Sequence, residues 1–226
     1  MSTLADFRWV VSSKIGLDNT PQGDQPLIDR WVNQGVVQTL TRGHSNVYPG
    51  QMALTPGYGD YGLPSQILAL EEMTVSPVGD VVSYLLERRS PREISDMRIL
   101  SAGGTPPVRY YALNGATLLM VYPTPAAADV LNIYYIPRPA VLAQPTDSPT
   151  DIPDEWHTVI EYYACWQAAQ FIDSATTQEG NLYRQLFENE LKNFKTASLH
   201  RGGRKLSRAH VGRTRAVVGA PSQRFV

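Results

Sequence analysis

VLNIYYIPRPAVLAQPTDSPTDIPDEWHTVIEYYACWQAAQF, residues 130–171, changes character twice along its length. Val130 to Ile136 is a short run rich in β-branched and aromatic residues, the signature of a strand. Pro137, Pro139, Pro145 and Pro149 then make residues 137–152 an extended, turn-rich link. A helix begins at Pro153, where a missing N–H costs nothing in the first turn. Asp154 and Glu155 follow on the positive end of its dipole. Trp156, Val159, Ile160, Tyr163, Ala164, Ala168 and Phe171 give the helix an apolar face. Gln167 falls within that face and needs a hydrogen-bond partner if buried. This stretch is the return from a β-rich middle to helix.

Working outward, a further helix starts near Thr177 and runs to about Leu199, with Tyr183, Phe187, Leu191 and Phe194 as its stripe. Polar residues between Asp173 and Glu179 separate it from the helix before. At the other end of the chain, Leu4, Phe7, Val11 and Ile15 predict a helix from Ser2 or Thr3 to Ile15, stopped by Gly16. A second is predicted from Asp24, a plausible N-cap, to Arg42, with Ile28, Val32, Val36 and Leu40 recurring every fourth residue and Gly43 ending it. Between these ends the pattern is β. Strands are expected at Ile67–Val75, Val81–Leu86, Val108–Leu113 and Ala116–Tyr122, and a short helix at Pro91–Met97 capped by Ser90. Asn114-Gly115 predicts a two-residue type I′ hairpin turn. The expected fold is α+β. A mostly antiparallel four-helix bundle comes from residues 1–43 and 153–199, a β-rich insertion occupies 44–152, and an extended basic arm covers 200–226.

The arm stands out by charge. Residues 192–226 hold nine Lys and Arg and no Asp or Glu, whereas the preceding 191 residues hold eleven basic and all 21 acidic residues. A formal net charge of −1 therefore hides a body near −10 and a C-terminal segment near +9. After Leu199 the apolar residues have no period, and Gly202, Gly203, Gly212, Gly219 and Pro221 interrupt any helix. Such a segment cannot bury enough surface to offset its own ordering entropy, so it is expected to order on a partner. Two acidic partners fit. Nucleic acid would use the cations as phosphate neutralisers, and an acidic protein groove would use arginine forks on carboxylates. The apolar tip, Phe225 and Val226, favours the protein groove, because a docking peptide uses such an anchor.

Catalysis finds little support in the residues. His157 and Glu161 are four apart on a helix, but a metal site needs three or four ligands, and His157 reads as a solvent-facing helix residue. His44 has no ligand partner at a helical spacing, and His200 and His210 belong to the basic segment. Cys165, the only cysteine, reads as a buried structural thiol. Gly57-Tyr-Gly-Asp-Tyr-Gly62 does not follow a strand and open a helix, so it reads as a tight loop ahead of the first strand and not as a dinucleotide cradle. Tyr110, Tyr111, Tyr122, Tyr134 and Tyr135 lie on predicted strands with only Arg109 and Arg138 beside them, which suits core and subunit packing better than base stacking. No apolar run approaches a membrane span, and no signal peptide is expected at the N-terminus, so the protein is expected to be made and kept in a cytoplasm or packaged from one.

Several phrases together resemble the head–tail adaptor (connector) proteins of tailed bacteriophages. Leu27-Ile-Asp-Arg-Trp-Val-Asn-Gln is similar to the second-helix phrase of that family, and Tyr61-Gly-Leu-Pro to its entry into the β insertion. Tyr111-Ala-Leu-Asn-Gly with Leu119-Met-Val-Tyr-Pro-Thr-Pro resembles its hairpin. Tyr134-Tyr-Ile-Pro-Arg-Pro followed by Ile152-Pro-Asp-Glu-Trp-His resembles its return to helix. The likeness covers about residues 2–198. It implies a non-enzymatic virion protein of the neck, without cofactor or metal and made in the host cytoplasm, whose partners are the portal protein and further neck or tail proteins. It also implies a homo-oligomeric ring, commonly of twelve subunits, through which double-stranded DNA passes without specific binding. The C-terminal segment would insert into portal, which makes Arg201, Arg204, Lys205, Arg208, Arg213, Arg215, Arg224, Phe225 and Val226 the expected portal-binding residues. A net-acidic body would repel DNA along such a channel. The alternative is a nucleic-acid-binding protein that uses the same arm on phosphates.

Overall fold

The computed structural model describes residues 2–43, 47–79, 82–100, 107–172 and 178–201. In chain order the elements are α1 (Leu4–Ile15), α2 (Gln25–Gly43), β1 (Tyr48–Ala53), β2 (Asp60–Gly62), β3 (Ile67–Ser76), β4 (Tyr84–Leu85), β5 (Glu87–Arg88), α3 (Pro91–Leu100), β6 (Tyr110–Asn114), β7 (Leu118–Tyr122), β8 (Val130–Pro137), α4 (His157–Ile172) and α5 (Gln178–Arg201). The fold is α+β: helices from the two ends pack together, and two four-stranded sheets lie between them in sequence.

The helices begin and end where local chemistry directs. Thr3 caps α1 in a reciprocal box with Asp6, and Gly16 takes the left-handed conformation at φ 79° that closes its C-terminus. Asp24 offers its carbonyl to Leu27 and Ile28 at the head of α2, but its carboxylate accepts the Asp18 N–H instead of capping the helix. Gly43 is the last residue of α2 and is needed for closeness: a Cβ there would sit 2.5 Å from the Phe194 ring of α5. The core of the bundle runs from Leu4, Phe7 and Val11 through Ile28, Val32 and Leu40 to Ile160, Ala164 and Ala168. Within it, Arg8 is buried and pairs with Asp29 through two bonds of 2.6 and 2.7 Å.

The proline-rich link between β8 and α4 is a structural strap. Leu142 and Ile152 are buried in the helical core. Asn33 of α2 clamps the link by donating to the Leu142 carbonyl and accepting its N–H. At the head of α1, the N–H groups of Leu4 and Ala5 donate to the carbonyls of Asp147 and Pro145. Those two donors have no partner within the helix, and the link supplies one.

The sheets have strand orders β1-β8-β3-β4 and β2-β7-β6-β5. Their inner faces share a core of Leu54, Met73, Val75, Tyr111, Val121, Leu131 and Ile133. On the far side of the second sheet, α3 covers Ala112, Met120 and Tyr122 with Ile94 and Met97. Three expectations need correction here. Gly57–Gly62 is not simply a loop ahead of the first strand, because β1 precedes it and β2 forms within it. The predicted Val81–Leu86 strand is the short pair β4 and β5, with Leu86 buried between them; Val81 lies outside the described residues. The hairpin pairs Asn114 with Leu118, so its loop is Gly115–Thr117 and not the two-residue Asn-Gly turn. A two-residue loop would shift the pairing and exchange the two faces of β7. The observed register instead gives Leu119 and Val121 to the shared core and Met120 and Tyr122 to α3.

Candidate assembly interface

The C-terminal segment is rooted on α5, whose buried stripe of Phe187, Leu191 and Phe194 packs on α4. Trp156 and Trp166 flank that stripe, with ring centroids 5.5 Å from Phe194 and 6.1 Å from Phe187. Arg42 of α2 grips Glu188 of α5 through bonds of 3.0 and 2.6 Å and lies over the Phe187 ring. The helix that launches the segment is thus fixed to the body on two sides. Arg201 is its last residue. Arg204, Lys205, Arg208, Arg213, Arg215, Arg224, Phe225 and Val226 lie outside the described residues.

The remaining chemistry-bearing residues do structural work. His157 is buried, contrary to the solvent-facing expectation. Its Nε2 lies 3.0 Å from the Ile152 carbonyl, positioned to donate to it, and its Nδ1 accepts the Ser2 N–H at 3.3 Å. The ring also packs on Phe7. The helix opens with a 3-10 turn, Asp154–Trp156, and His157 then stands in register with the buried Ile160, Ala164 and Ala168 of α4. Phe171, expected inside, is 56% exposed, though it still meets Trp31. Glu161 pairs with Lys14 at 3.7 Å. Cys165 is buried among bundle side chains, and burial pushes its thiol up to about 12. No group of three or more potential metal ligands occurs among the described residues.

The glycine-rich stretch also has a local explanation. The Tyr61 hydroxyl accepts the Thr55 N–H and faces the carbonyls of Thr55 and Tyr58, which folds residues 55–61 onto one ring. The Arg98 guanidinium donates to the Gly59 and Val121 carbonyls and to Asp60, so any side chain at Gly59 would collide with it. The tyrosines are likewise used within the molecule: Tyr111 and Tyr135 line the shared β core, and Tyr110 stacks on Tyr122 beneath α3.

Beside its charged side chains, the surface carries exposed apolar ones. Trp9 on α1, Ile99 and Leu100 at the end of α3, and Val78, Val82 and Leu85 around the β3–β4 hairpin are all more than half exposed. A family model described as SU10 adaptor protein matches residues 2–213. The chain belongs to the SU10 adaptor protein family. It is a phage head–tail adaptor, a structural component of the virion and not a catalyst. No protein of characterised function matches the adaptor chain. Among the described residues no helix is long and apolar enough to cross a membrane. The sequence reading left Trp9 off the stripe of the first helix and ended the short helix at Met97, so it assigned no place to the exposed Trp9, Ile99 and Leu100.

Proposed function

We propose that this adaptor assembles as a ring, commonly of twelve subunits, beneath the portal. The ring extends the DNA channel and offers its far side to further neck or tail proteins. The segment from Arg201 to Val226 docks into a groove of the portal protein, with Arg201, Arg204, Lys205, Arg208, Arg213, Arg215 and Arg224 meeting carboxylates and Phe225 and Val226 as the apolar anchor. The observation that carries the reading is the reach of the family match. It continues to residue 213, past the end of α5 at Arg201, so the start of the basic segment belongs to the adaptor pattern. The charge split supports it, since residues 1–200, near −8, lining a channel would let DNA pass while arms near +7 from Arg201 onward point elsewhere. Many arms in one ring would bind with an avidity far above that of one.

Salt separates portal docking from the competing phosphate-binding role. Neutralising six to ten phosphates costs roughly 10³–10⁵ in affinity between 50 and 200 mM salt. A docked arm with an apolar anchor is expected to lose less than about tenfold over that range. Binding to purified portal particles and to a double-stranded DNA fragment, measured at both salts, tests the choice. Tight, steeply salt-dependent DNA binding with no portal binding would overturn the proposal.

A further inference from the structure

Beside the proline-rich strap, an open groove of about 610 Å³ lies over the outward side of α2, between Val141 of the strap and Tyr163 and Gln167 of α4. Gln34, Val37 and Gln38 form its α2 wall. The side-chain amides of Gln34, Gln38 and Gln167 have no hydrogen-bond partner among the described residues, and Val141 is 75% exposed. Asn33, which also borders the groove, shows what an amide does here. It holds extended backbone at Leu142, donating to the carbonyl at 3.1 Å and accepting the N–H at 2.8 Å. Gln34 follows Asn33 directly, and Gln38 stands one helical turn further on. The groove thus offers more of the chemistry that binds the strap: amides for a backbone, and Val37, Val141 and Tyr163 for apolar side chains.

The arm repeats the sequence pattern of the strap. Ala140–Pro145 reads AVLAQP, and Ala216–Pro221 reads AVVGAP. Both run Ala, Val, a branched aliphatic residue, a small residue and, two places on, Pro, which lacks an N–H and favours extended backbone before it. Charge singles out the same part of the arm. Residues 216–223 are its longest run without Lys or Arg, and the groove has one cation, Arg30, and no carboxylate for the arginines of 201–215. The reach is sufficient. α5 meets Gly43 at Phe194 and continues about 10 Å to Arg201, whereas Gln38 and Gln34 lie about 8 and 14 Å back along α2 from Gly43. The return path is about 25 Å along the bundle plus about 10 Å of helix width, and the stretch from Arg201 to Ala216 spans up to about 50 Å. From Arg30 to Gln38 the groove is about 12 Å long, room for about four extended residues.

We infer that in the free adaptor the Ala216–Pro221 segment of the arm packs into this groove of its own bundle. Its backbone pairs with the amides of Gln34, Gln38 and Gln167. Val217 and Val218 point to opposite sides of an extended chain, so one of them meets Val37, Val141 and Tyr163. The opposite net charges of arm and body hold the arm near the bundle. Tethering gives the segment an effective concentration on the order of 1 mM, so a contact with a Kd of about 0.1 mM is made about 90% of the time. The contact needs neither ring nor portal. On the portal reading above, it keeps the Phe225–Val226 tip against the body until portal competes for the arm.

The test uses the full chain without portal, carrying photo-reactive benzoylphenylalanine at the exposed Val141 position. Isotope-labelled and unlabelled protein are mixed, illuminated and digested, and the crosslinked peptides are read by mass spectrometry. Crosslinks from position 141 to residues 216–221 are expected, joining peptides of like label only. Gln38→Arg in the groove and Val218→Arg in the arm are each expected to weaken the contact about fiftyfold and so lower the crosslink yield about fivefold. Both are expected to leave the far-UV circular dichroism unchanged, and the arm variant alters no residue of the folded body. Crosslinks that join unlike labels would show a neighbouring copy's arm in the groove and overturn the inference. Crosslinks confined to the body, or a yield unchanged in both variants, would overturn it as well.

Discussion

His157→Ala tests whether the link, α1 and α4 are one mechanical unit. The substitution removes the donor to the Ile152 carbonyl and the acceptor for the Ser2 N–H, and it empties the space beside Phe7. A buried carbonyl left without its donor costs about 1–3 kcal/mol. The Ser2 N–H is only partly buried and water can replace its partner, so its loss adds about 0.5 kcal/mol. Removing the ring leaves a void worth about 1–2 kcal/mol, less than for a phenylalanine because imidazole is smaller and more polar. The expected total is about 3–4 kcal/mol. With a urea dependence near 3 kcal/mol/M for a chain of this size, the unfolding midpoint falls by about 1 M. His157→Gln, which can keep a donor near the Nε2 position, is expected to recover about half. Urea titration followed by far-UV circular dichroism measures both, and amide exchange at Leu4 and Ala5 reports whether α1 loosens from the link. A loss under about 1 kcal/mol for the alanine variant, or a glutamine variant no better than alanine, would refute the reasoning.

Three further outcomes are expected. Gly43→Ala forces a Cβ against the Phe194 ring and should cost about 1–3 kcal/mol, lowering the melting temperature by roughly 2–12 °C; an unchanged melting curve would contradict the close α2–α5 approach. Cys165, with its thiol pushed up to about 12 and buried, is expected to resist a disulfide reagent in the native protein at pH 8 and to react at once in denaturant. Asp6, Glu93 and Asp147 are held below the usual carboxylate range by donors from Thr3, from Ser90, and from the Gln144 and Ala143 N–H groups respectively. Their contribution is complete above the unfolded carboxylate value and is lost as pH falls through the depressed folded values, so Asp147→Asn should flatten the acid limb of a stability profile.

The helices were legible because their signals are local: Thr3 with Asp6, Ser90 with Glu93, and Gly16 each act within four residues of the element they bound. The strand β1 was not. Its sequence, YPGQMA, lacks a β-branched run and becomes a strand because Gly50 leaves room for the Tyr135 ring of β8, a contact made across a wide stretch of chain. The hairpin register was misjudged for a related reason. The Asn-Gly signal is local, but the choice of which face of β7 meets the shared core is made by the whole sandwich. His157 was misread because it is polar, although it stands in helical register with Ile160, Ala164 and Ala168 and is buried with them. The candidate portal-binding residues were legible as charge alone, since charge is additive along a chain and needs no fold to be counted.

This adaptor therefore joins a body whose ends are bound together by a proline-rich strap to a basic segment launched from a firmly packed helix. The central claim is that this segment is what holds portal. It is tested most directly by imaging portal particles mixed with the full chain or with a chain ending at His200. The account predicts that the full chain decorates portal as a ring, and that the shortened chain keeps its circular dichroism and melting temperature but leaves portal bare. Normal decoration by the shortened chain would contradict it.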